Sequence, residues 1–274
     1  MLDELSPAAL RAALEWQLEL GCDEAIATHP LDRYALPERM PAPARPPTSE
    51  PASAIQGSAP TAPVGVPGST GTTGPDPVTE AERMAGAAET LDDLKAALDA
   101  FPWCDLRLGA KSLVFSDGRP DARVMIIGEA PGREEDRAGL PFVGQAGQLL
   151  DRMLAAIGLA RDADEAARGV YITNVLPWRP PSNRDPEPAE IAMMLPFLRR
   201  HVALVDPEIL VCMGNHACGA VLNRRGITRL RGKWSEGFGL PVLPMLHPAY
   251  LLRQGAAKRD AWADLLALSA RLAD

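Results

Sequence analysis

The residues best suited to chemistry begin after the apolar run at 124–127, which is typical of a strand buried on both faces of a sheet. The segment that follows is Gly128-Glu129-Ala130-Pro131-Gly132. Behind it come two further segments, Glu134-Glu135-Asp136 and Pro141-Phe142-Val143-Gly144-Gln145-Ala146-Gly147. Open α/β sheets place their active sites at the carboxyl ends of parallel strands, so these loops are predicted to line a site. The two glycines around Pro131 allow close backbone approach to a ligand, and a helix opening at Gln145 could offer N–H groups to a phosphate.

Three further apolar runs end in polar or glycine-rich segments. The run 171–173 ends at Asn174, ahead of Arg179-Pro180-Pro181-Ser182-Asn183-Arg184. The run 209–213 ends at Gly214, where a helix is predicted. The run 242–246 ends at His247-Pro248-Ala249-Tyr250-Leu251-Leu252-Arg253. Side chains that leave the same ends of parallel strands converge, so one common site is predicted.

In this combination and order, the motifs resemble those of the uracil-DNA glycosylase superfamily, most closely its family-four branch. The resemblance covers about residues 100–270. It implies an α/β fold, a three-layer α/β/α sandwich around a four-stranded parallel sheet. It also implies a monofunctional DNA repair enzyme, which flips uracil out of DNA, hydrolyses the N-glycosidic bond and leaves an abasic site.

The resemblance assigns substrate-binding roles to Gly128, Ala130, Pro131, Gly132, Phe142 and Asn174. Phe142 is expected to stack on the flipped base, which contributes on the order of 1–3 kcal/mol. The side-chain amide of Asn174 matches the N3–H donor and the O4 acceptor of uracil, whereas cytosine presents the opposite pattern. Taken alone, Phe142 could be an ordinary core residue and Asn174 a turn cap. The accompanying motifs favour the functional interpretation of both.

His247 is predicted to be catalytic. Cleavage of the bond leaves positive charge on the sugar and negative charge on uracil. A donor aimed at uracil O2 would stabilise that negative charge by about 3 kcal/mol. A single histidine after a strand is more often structural, but Pro248 and Arg253 fit a loop that binds the DNA backbone. His29, His201 and His216 have no comparable context and are interpreted as structural.

The water-activating residue is predicted among the acidic residues of the first motif. Better-known relatives have Asp at the position of Ala130, so that role cannot be transferred directly. The resemblance favours Glu129 and Glu135, one orienting water and the other supporting the loop. In the alternative interpretation, residues 134–136 only favour a helix N-terminus electrostatically.

DNA contacts are assigned to five residues, Gln145, Arg179, Arg184, Arg231 and Arg253. The net charge of −8 is unusual for a protein that binds DNA. Residues 1–80 hold 11 acidic and 4 basic residues, net −7, which leaves residues 81–274 at net −1. A local basic surface therefore suffices for phosphate contacts.

The cysteines depart from the family-four pattern, in which four cysteines hold an iron-sulfur cluster. The corresponding positions here are Phe101, Cys104, Trp178 and Met194. One thiolate cannot hold a cluster that needs four ligands, so no cofactor is expected. Apolar packing of the three substituted side chains is predicted to replace the stapling role of the cluster.

Three segments are expected. Residues 1–40 contain an amphipathic helical pattern with Leu10, Leu14 and Leu18, which either docks on the enzyme or binds a protein partner. Residues 41–78 are rich in Pro, Ala, Gly, Ser and Thr and are predicted to be a disordered linker. Residues 79–274 form the catalytic domain, which opens with a helix over 80–100.

Composition limits the remaining alternatives. No apolar run approaches the ~20 residues of a membrane span, and four unpatterned cysteines suit a reducing compartment, so a cytoplasmic protein is expected. It is also expected to be a monomer. One alternative is a relative that binds uracil-DNA covalently through a histidine in a short basic loop. Residues 229–234 contain no histidine, which disfavours it. The other is a scaffold without catalysis that binds DNA or a replication protein, and the presence of Phe142, Asn174 and His247 argues against it.

Overall fold

Four parallel strands form the centre of a six-stranded sheet in the computed structural model, which describes residues 76–273. The strands are β1 (Asp117–Gly118), β2 (Val124–Gly128), β3 (Val170–Asn174), β4 (Ile209–Met213), β5 (Ser235–Gly237) and β6 (Leu240–Met245). Their order is β1-β3-β2-β4-β6-β5. The pairs β2–β3, β2–β4 and β4–β6 are parallel, which confirms the predicted parallel sheet. The predictions for residues 1–75, including that for His29, lie outside the described residues.

Two short antiparallel strands extend the predicted four-stranded sheet at its edges. β1 pairs with β3, and β5 pairs with β6. They have only two and three residues and lack an apolar run, so the sequence contained no strand signal there. The sheet is therefore mixed at its edges and parallel at its centre.

Helices cover both faces of the sheet. They are α1 (Pro77–Ala87), α2 (Leu91–Ala100), α3 (Leu106–Gly109), α4 (Arg133–Ala138), α5 (Gln145–Ala155), α6 (Pro188–Val205), α7 (Gly214–Leu222), α8 (Ile227–Leu230), α9 (Pro248–Arg253) and α10 (Lys258–Ala273). None of these helices is both long and apolar enough to span a lipid bilayer.

Successive side chains of the central strands point to opposite faces of the sheet, so the apolar core is divided into two layers. Met125 and Ile127 of β2 pack in the layer that contains residues of α1, α2, α6 and α7. Val124 and Ile126 pack in the opposite layer, with residues of α5 and α10. All four side chains are fully buried because both faces of a parallel sheet are covered. This arrangement is the predicted three-layer α/β/α sandwich.

The single helix predicted over 80–100 is wrong. Two helices occupy this region, and α1 begins at Pro77, inside the segment predicted as linker. Ala88 leaves the helical conformation, and Thr90 starts α2 with a capping box in which its side chain accepts from the Asp93 amide at 3.1 Å. Thr-x-x-Asp is a helix start signal, so local capping interrupts the continuous helical pattern.

His201 has the structural role that was expected. Its Nε2 lies 2.8 Å from the hydroxyl oxygen of Tyr171, and its ring stacks on Phe115 with a centroid distance of 4.4 Å. Burial lowers the pKa of His201 to about 3, so the side chain stays neutral in the core.

Candidate active site

A cavity of about 450 Å³ opens at the carboxyl ends of the central strands. Its walls come from the loops after β2, β3 and β6, as the sequence predicted for a convergent site. Among the predicted residues, the cavity is lined by Glu129, Ala130, Pro131, Gly132, Glu135, Phe142, Asn174, Arg184, His247 and Arg253. Sites for small ligands have volumes of roughly 300–1,000 Å³, so the cavity is of suitable size.

Gly128 does not line the cavity but lies against two residues that do, and a side chain here would displace them. A Cβ at this position would be 2.2 Å from Oδ1 of Asn174 and 2.6 Å from the ring of Phe142. Backbone bonds fix the same region, because Val175 and Leu176 donate to the carbonyls of Gly128 and Glu129 at 3.0 Å. The glycine thus allows an aromatic ring and an amide to approach the same point of the backbone.

Phe142 is held in an unusual conformation. Its φ is 54°, in the left-handed region that non-glycine residues rarely adopt. Arg161 supports this loop by donating to the carbonyls of Pro141 and Phe142 at 3.0 and 2.8 Å, and it is paired with Asp117 and Asp151. Sequence reasoning missed Arg161, because an arginine far along the chain gives no local signal of this contact.

His247 lies beside Phe142, with ring centroids 5.5 Å apart and an interplanar angle of 28°. Its Nδ1 accepts a hydrogen bond from the Ala249 amide at 3.2 Å, so in the neutral ring Nε2 carries the proton. Burial is the main cause that lowers the pKa of His247, and the positive charge of Arg253 lowers it further. The negative charges of Glu129 and Glu135 raise this pKa but do not outweigh burial. At neutral pH His247 is thus an uncharged donor through Nε2.

Glu129 contacts a histidine that the sequence interpretation left as structural. Oε2 of Glu129 lies 2.7 Å from Nδ1 of His216, in the first turn of α7. Burial raises the pKa of Glu129, but His216 and the nearby His247 outweigh burial, so the pKa falls below its usual value. Glu129 in turn raises the pKa of His216. The sequence analysis did not predict this contact between His216 and Glu129.

Glu135 binds the backbone of its own loop. One carboxylate oxygen accepts from the amides of Val143 and Gly144 at 3.0 and 2.9 Å, and the other accepts from the amide of Gly132 at 3.1 Å. The amide of Gly144, at the start of α5, is thus already bonded to a carboxylate instead of being free for a phosphate. Asp136 likewise accepts from the amides of Lys111 and Ser112 at 2.8 and 3.1 Å.

The predicted DNA-binding residues fall into two groups. Arg184 and Arg253 line the cavity, although Arg184 also pairs with Glu190. Gln145 and Arg179 lie outside the cavity lining, and Nε of Arg179 donates to Asn183 at 2.7 Å.

Arg231 lies outside the cavity lining and pairs with an acidic side chain. Its Nε donates to the buried carboxylate of Asp264 at 2.9 Å, and a second nitrogen contacts the other oxygen of the same group. A buried carboxylate needs a partner, so Arg231 stabilises the packing of α10 instead of reaching the cavity. Its assignment to DNA contacts stays a prediction, in which DNA phosphates would compete with Asp264 for its charge.

The positions at which the resemblance places cluster ligands form part of the apolar core. Phe101, Cys104, Trp178 and Met194 are all at most 3% exposed. Phe101 packs edge-to-face on Phe197 with ring centroids 5.3 Å apart, and burial raises the pKa of Cys104 to about 11, which keeps it a thiol. A four-iron cluster requires four thiolates, so the side chains at these positions do not fit the group.

The fold and the cavity define an α/β protein with a ligand site at the carboxyl edge of its parallel strands. A family model described as uracil DNA glycosylase superfamily matches residues 115–266. The chain belongs to the uracil-DNA glycosylase superfamily.

Curated relatives agree with this membership. The chain is 38% identical to a type-4 uracil-DNA glycosylase of Archaeoglobus fulgidus over 185 residues, which cover 64% of this chain and 90% of the relative. It is 39% identical to that of Thermotoga maritima, over 55% of this chain and 77% of the relative. It is 38% identical to that of Sulfurisphaera tokodaii, over 60% of this chain and 76% of the relative.

Proposed function

We propose that the protein is a uracil-DNA glycosylase that removes uracil from DNA and leaves an abasic site. The observation that carries this function is the convergence of Phe142, Asn174, His247 and Glu129 on one cavity. Segments that follow three different strands supply an aromatic surface and a carboxylate (after β2), an amide (at the end of β3) and a neutral donor (after β6). The relatives named type-4 uracil-DNA glycosylases support the same activity.

Recognition begins with extrusion of the base, because its edge and its glycosidic bond are inaccessible in a duplex. Phe142 supplies the stacking surface for the flipped base. Asn174 accepts from N3–H of uracil and donates to O4. Cytosine has an acceptor at N3 and a donor at C4, so the same amide orientation leaves it unmatched. Arg184 and Arg253 line the cavity and are the residues proposed to contact phosphates of the DNA backbone.

Bond cleavage moves the electrons of the C1′–N1 bond onto uracil, where charge spreads to O2 and O4. The Nε2–H of His247 donates to O2 as this charge develops. A neutral donor is suited to this role, since it stabilises the anion without having to lose its proton. The attacking water forms the new C1′–O bond.

Glu129 is the residue we assign to the water. Its carboxylate lies at the cavity wall, one-third exposed, whereas both carboxylate oxygens of Glu135 are bound to backbone amides. Glu129 orients the water, stabilises the positive charge on the sugar and takes up the proton that the water releases. Glu135 supports the loop.

The test of this function compares a single-stranded oligonucleotide containing one uracil with one containing thymine at the same position. We expect release of free uracil and alkali-sensitive cleavage of the first strand, and roughly 10–200-fold less cleavage of the second, because the additional methyl at C5 of thymine changes binding in a pocket by about 1–3 kcal/mol. Glu129→Gln serves as the low-activity control. A wild-type protein that binds the uracil strand and produces no abasic site at micromolar concentration would support a non-catalytic scaffold instead.

The protein is also proposed to lack the iron-sulfur cluster that the resemblance implies. We expect purified protein to be colourless and free of iron, because Phe101, Trp178 and Met194 provide no thiolate. Absorption spectra and iron analysis of anaerobically purified protein measure this. About four irons per chain with visible charge-transfer absorption would contradict it.

We infer a monomeric protein acting on DNA in the cytoplasm, a compartment in which free thiols such as Cys104, Cys212 and Cys218 persist. Residues 1–40 are proposed to bind a protein partner or the catalytic domain.

A further inference from the structure

Three potential metal ligands from separate elements meet beside the cavity. Glu129 follows β2, Asp185 follows the 3-10 helix Pro181–Asn183, and His216 lies in the first turn of α7. One ligand atom from each lies within 4.8 Å of the others. Within residues 76–273 this is the only group of three or more such side chains that meets this limit. We call it the Glu-Asp-His cluster.

The contact inside the cluster is close but poorly aligned. Nδ1 of His216 is shielded from solvent and has no hydrogen-bond partner of good geometry, although Oε2 of Glu129 lies 2.7 Å away. A buried imidazole nitrogen of this kind is satisfied when its lone pair binds a cation. The carboxylates of Glu129 and Asp185 supply the compensating negative charge, and Asp185 is exposed and can rotate toward the other two groups.

We propose that Glu129, Asp185 and His216 bind one divalent cation of the zinc, cobalt or nickel type, and that its binding inhibits the enzyme. One imidazole nitrogen with two carboxylate oxygens favours these ions over Mg²⁺ and Ca²⁺, which prefer oxygen ligands alone. A bound cation occupies the carboxylate of Glu129, which then cannot orient the attacking water. The inhibitory part rests on the proposed glycosylase function, whereas cation binding does not.

Binding is tested on the full-length protein after treatment with EDTA and removal of the chelator. Zn²⁺ is titrated by calorimetry, and Co²⁺ is titrated by visible absorption, which reports ligand number. We expect a site of one cation per chain in the wild type, and loss of at least about tenfold in affinity in His216→Ala, which removes a ligand, and in Asp185→Asn, which removes the negative charge of a ligand. Glu165→Gln removes an exposed carboxylate outside the cluster and should bind as the wild type does.

Two results would overturn the binding proposal. One is the absence of a Co²⁺ spectrum and of Zn²⁺ heat in the wild type. The other is cation binding that both variants retain unchanged. That result would show that the cation binds at other residues, for example at the cysteines. Because His216 is partly buried, thermal unfolding is measured in parallel, and the exposed Asp185→Asn variant provides the test if His216→Ala unfolds.

Inhibition is measured separately as uracil release in EDTA, in Zn²⁺ and in Mg²⁺. We expect full activity in EDTA and in Mg²⁺, and at least a tenfold loss in Zn²⁺ that EDTA reverses. Zn²⁺ binding without inhibition would overturn the inhibitory part. Absence of uracil release in EDTA would instead contradict the proposed function, while the Co²⁺ and Zn²⁺ titrations would still decide the cation site.

Discussion

Replacing His247 with alanine should slow uracil release about 100-fold in single-turnover experiments, because loss of a donor to the developing anion costs about 3 kcal/mol. Binding of uracil-DNA should change little, since the donor matters most when uracil becomes negatively charged. The structure is consistent with a role of His247 in bond cleavage. Nδ1 of His247 is held by the Ala249 amide, and the neutral ring keeps its proton on Nε2.

The control for His247→Ala is a change of leaving group. Fluorouracil carries negative charge more easily than uracil, so it should depend less on the donor, and the defect of His247→Ala should shrink on fluorouracil-DNA. His247 also packs on Phe142 at 5.5 Å, so thermal unfolding must show that the variant remains folded. Equal single-turnover rates of variant and wild type would contradict the leaving-group role, and an equal defect on both bases would indicate a packing effect.

The parallel strands could be predicted because each is a continuous apolar run. Burial on both faces requires such a run, and the strand 209–213 was predicted with its observed ends. β1 and β5 could not be predicted, because their pairing depends on neighbours already in place. The break in the helix predicted over 80–100 has a sequence signal, because Thr90 and Asp93 have the spacing of a capping box. The helical composition on both sides of this pair favoured a single helix.

The candidate site was predictable where motif residues follow strands, as for Asn174 and His247. The contact between Glu129 and His216 was not recognised, although both follow neighbouring strands. Val124 pairs with Ile209 in β2 and β4, and this register brings the ends of the two strands together. Knowledge of strand order would have placed His216 beside Glu129.

Two arginines, Arg231 and Arg161, have charged or polar partners in the structure that the sequence did not indicate. Arg231 belongs to a basic group in the sequence, but its charge is taken up by Asp264, 33 residues away. Arg161 binds the Phe142 loop from 19 residues away. Sequence shows the sign of such charges and gives no indication of which of them are neutralised within the fold. The number of basic residues in a sequence cluster is therefore larger than the number of positive charges that are free to bind DNA.

Replacing Asn174 with alanine should reduce uracil excision by at least about 100-fold and also weaken selection of uracil over cytosine. A site built to hydrogen-bond its substrate discriminates by a factor of about 10⁴–10⁵, because a wrong partner leaves buried polar groups unmatched. Asn174 is 6% exposed and lines the cavity, so water compensates poorly for the missing amide. The measurement is kcat/KM on uracil and cytosine strands.

Gln148→Ala is the matched control, because it removes an exposed amide from the interior of α5 and should leave both rates unchanged. Gly128→Ala tests the same amide without removing it. The added Cβ would lie 2.2 Å from Oδ1 of Asn174, so the amide or the Phe142 ring must move. If Asn174 reads uracil, both Asn174→Ala and Gly128→Ala should lose rate and selectivity together. A folded Asn174→Ala that keeps wild-type selectivity would show that Asn174 serves only as a turn residue.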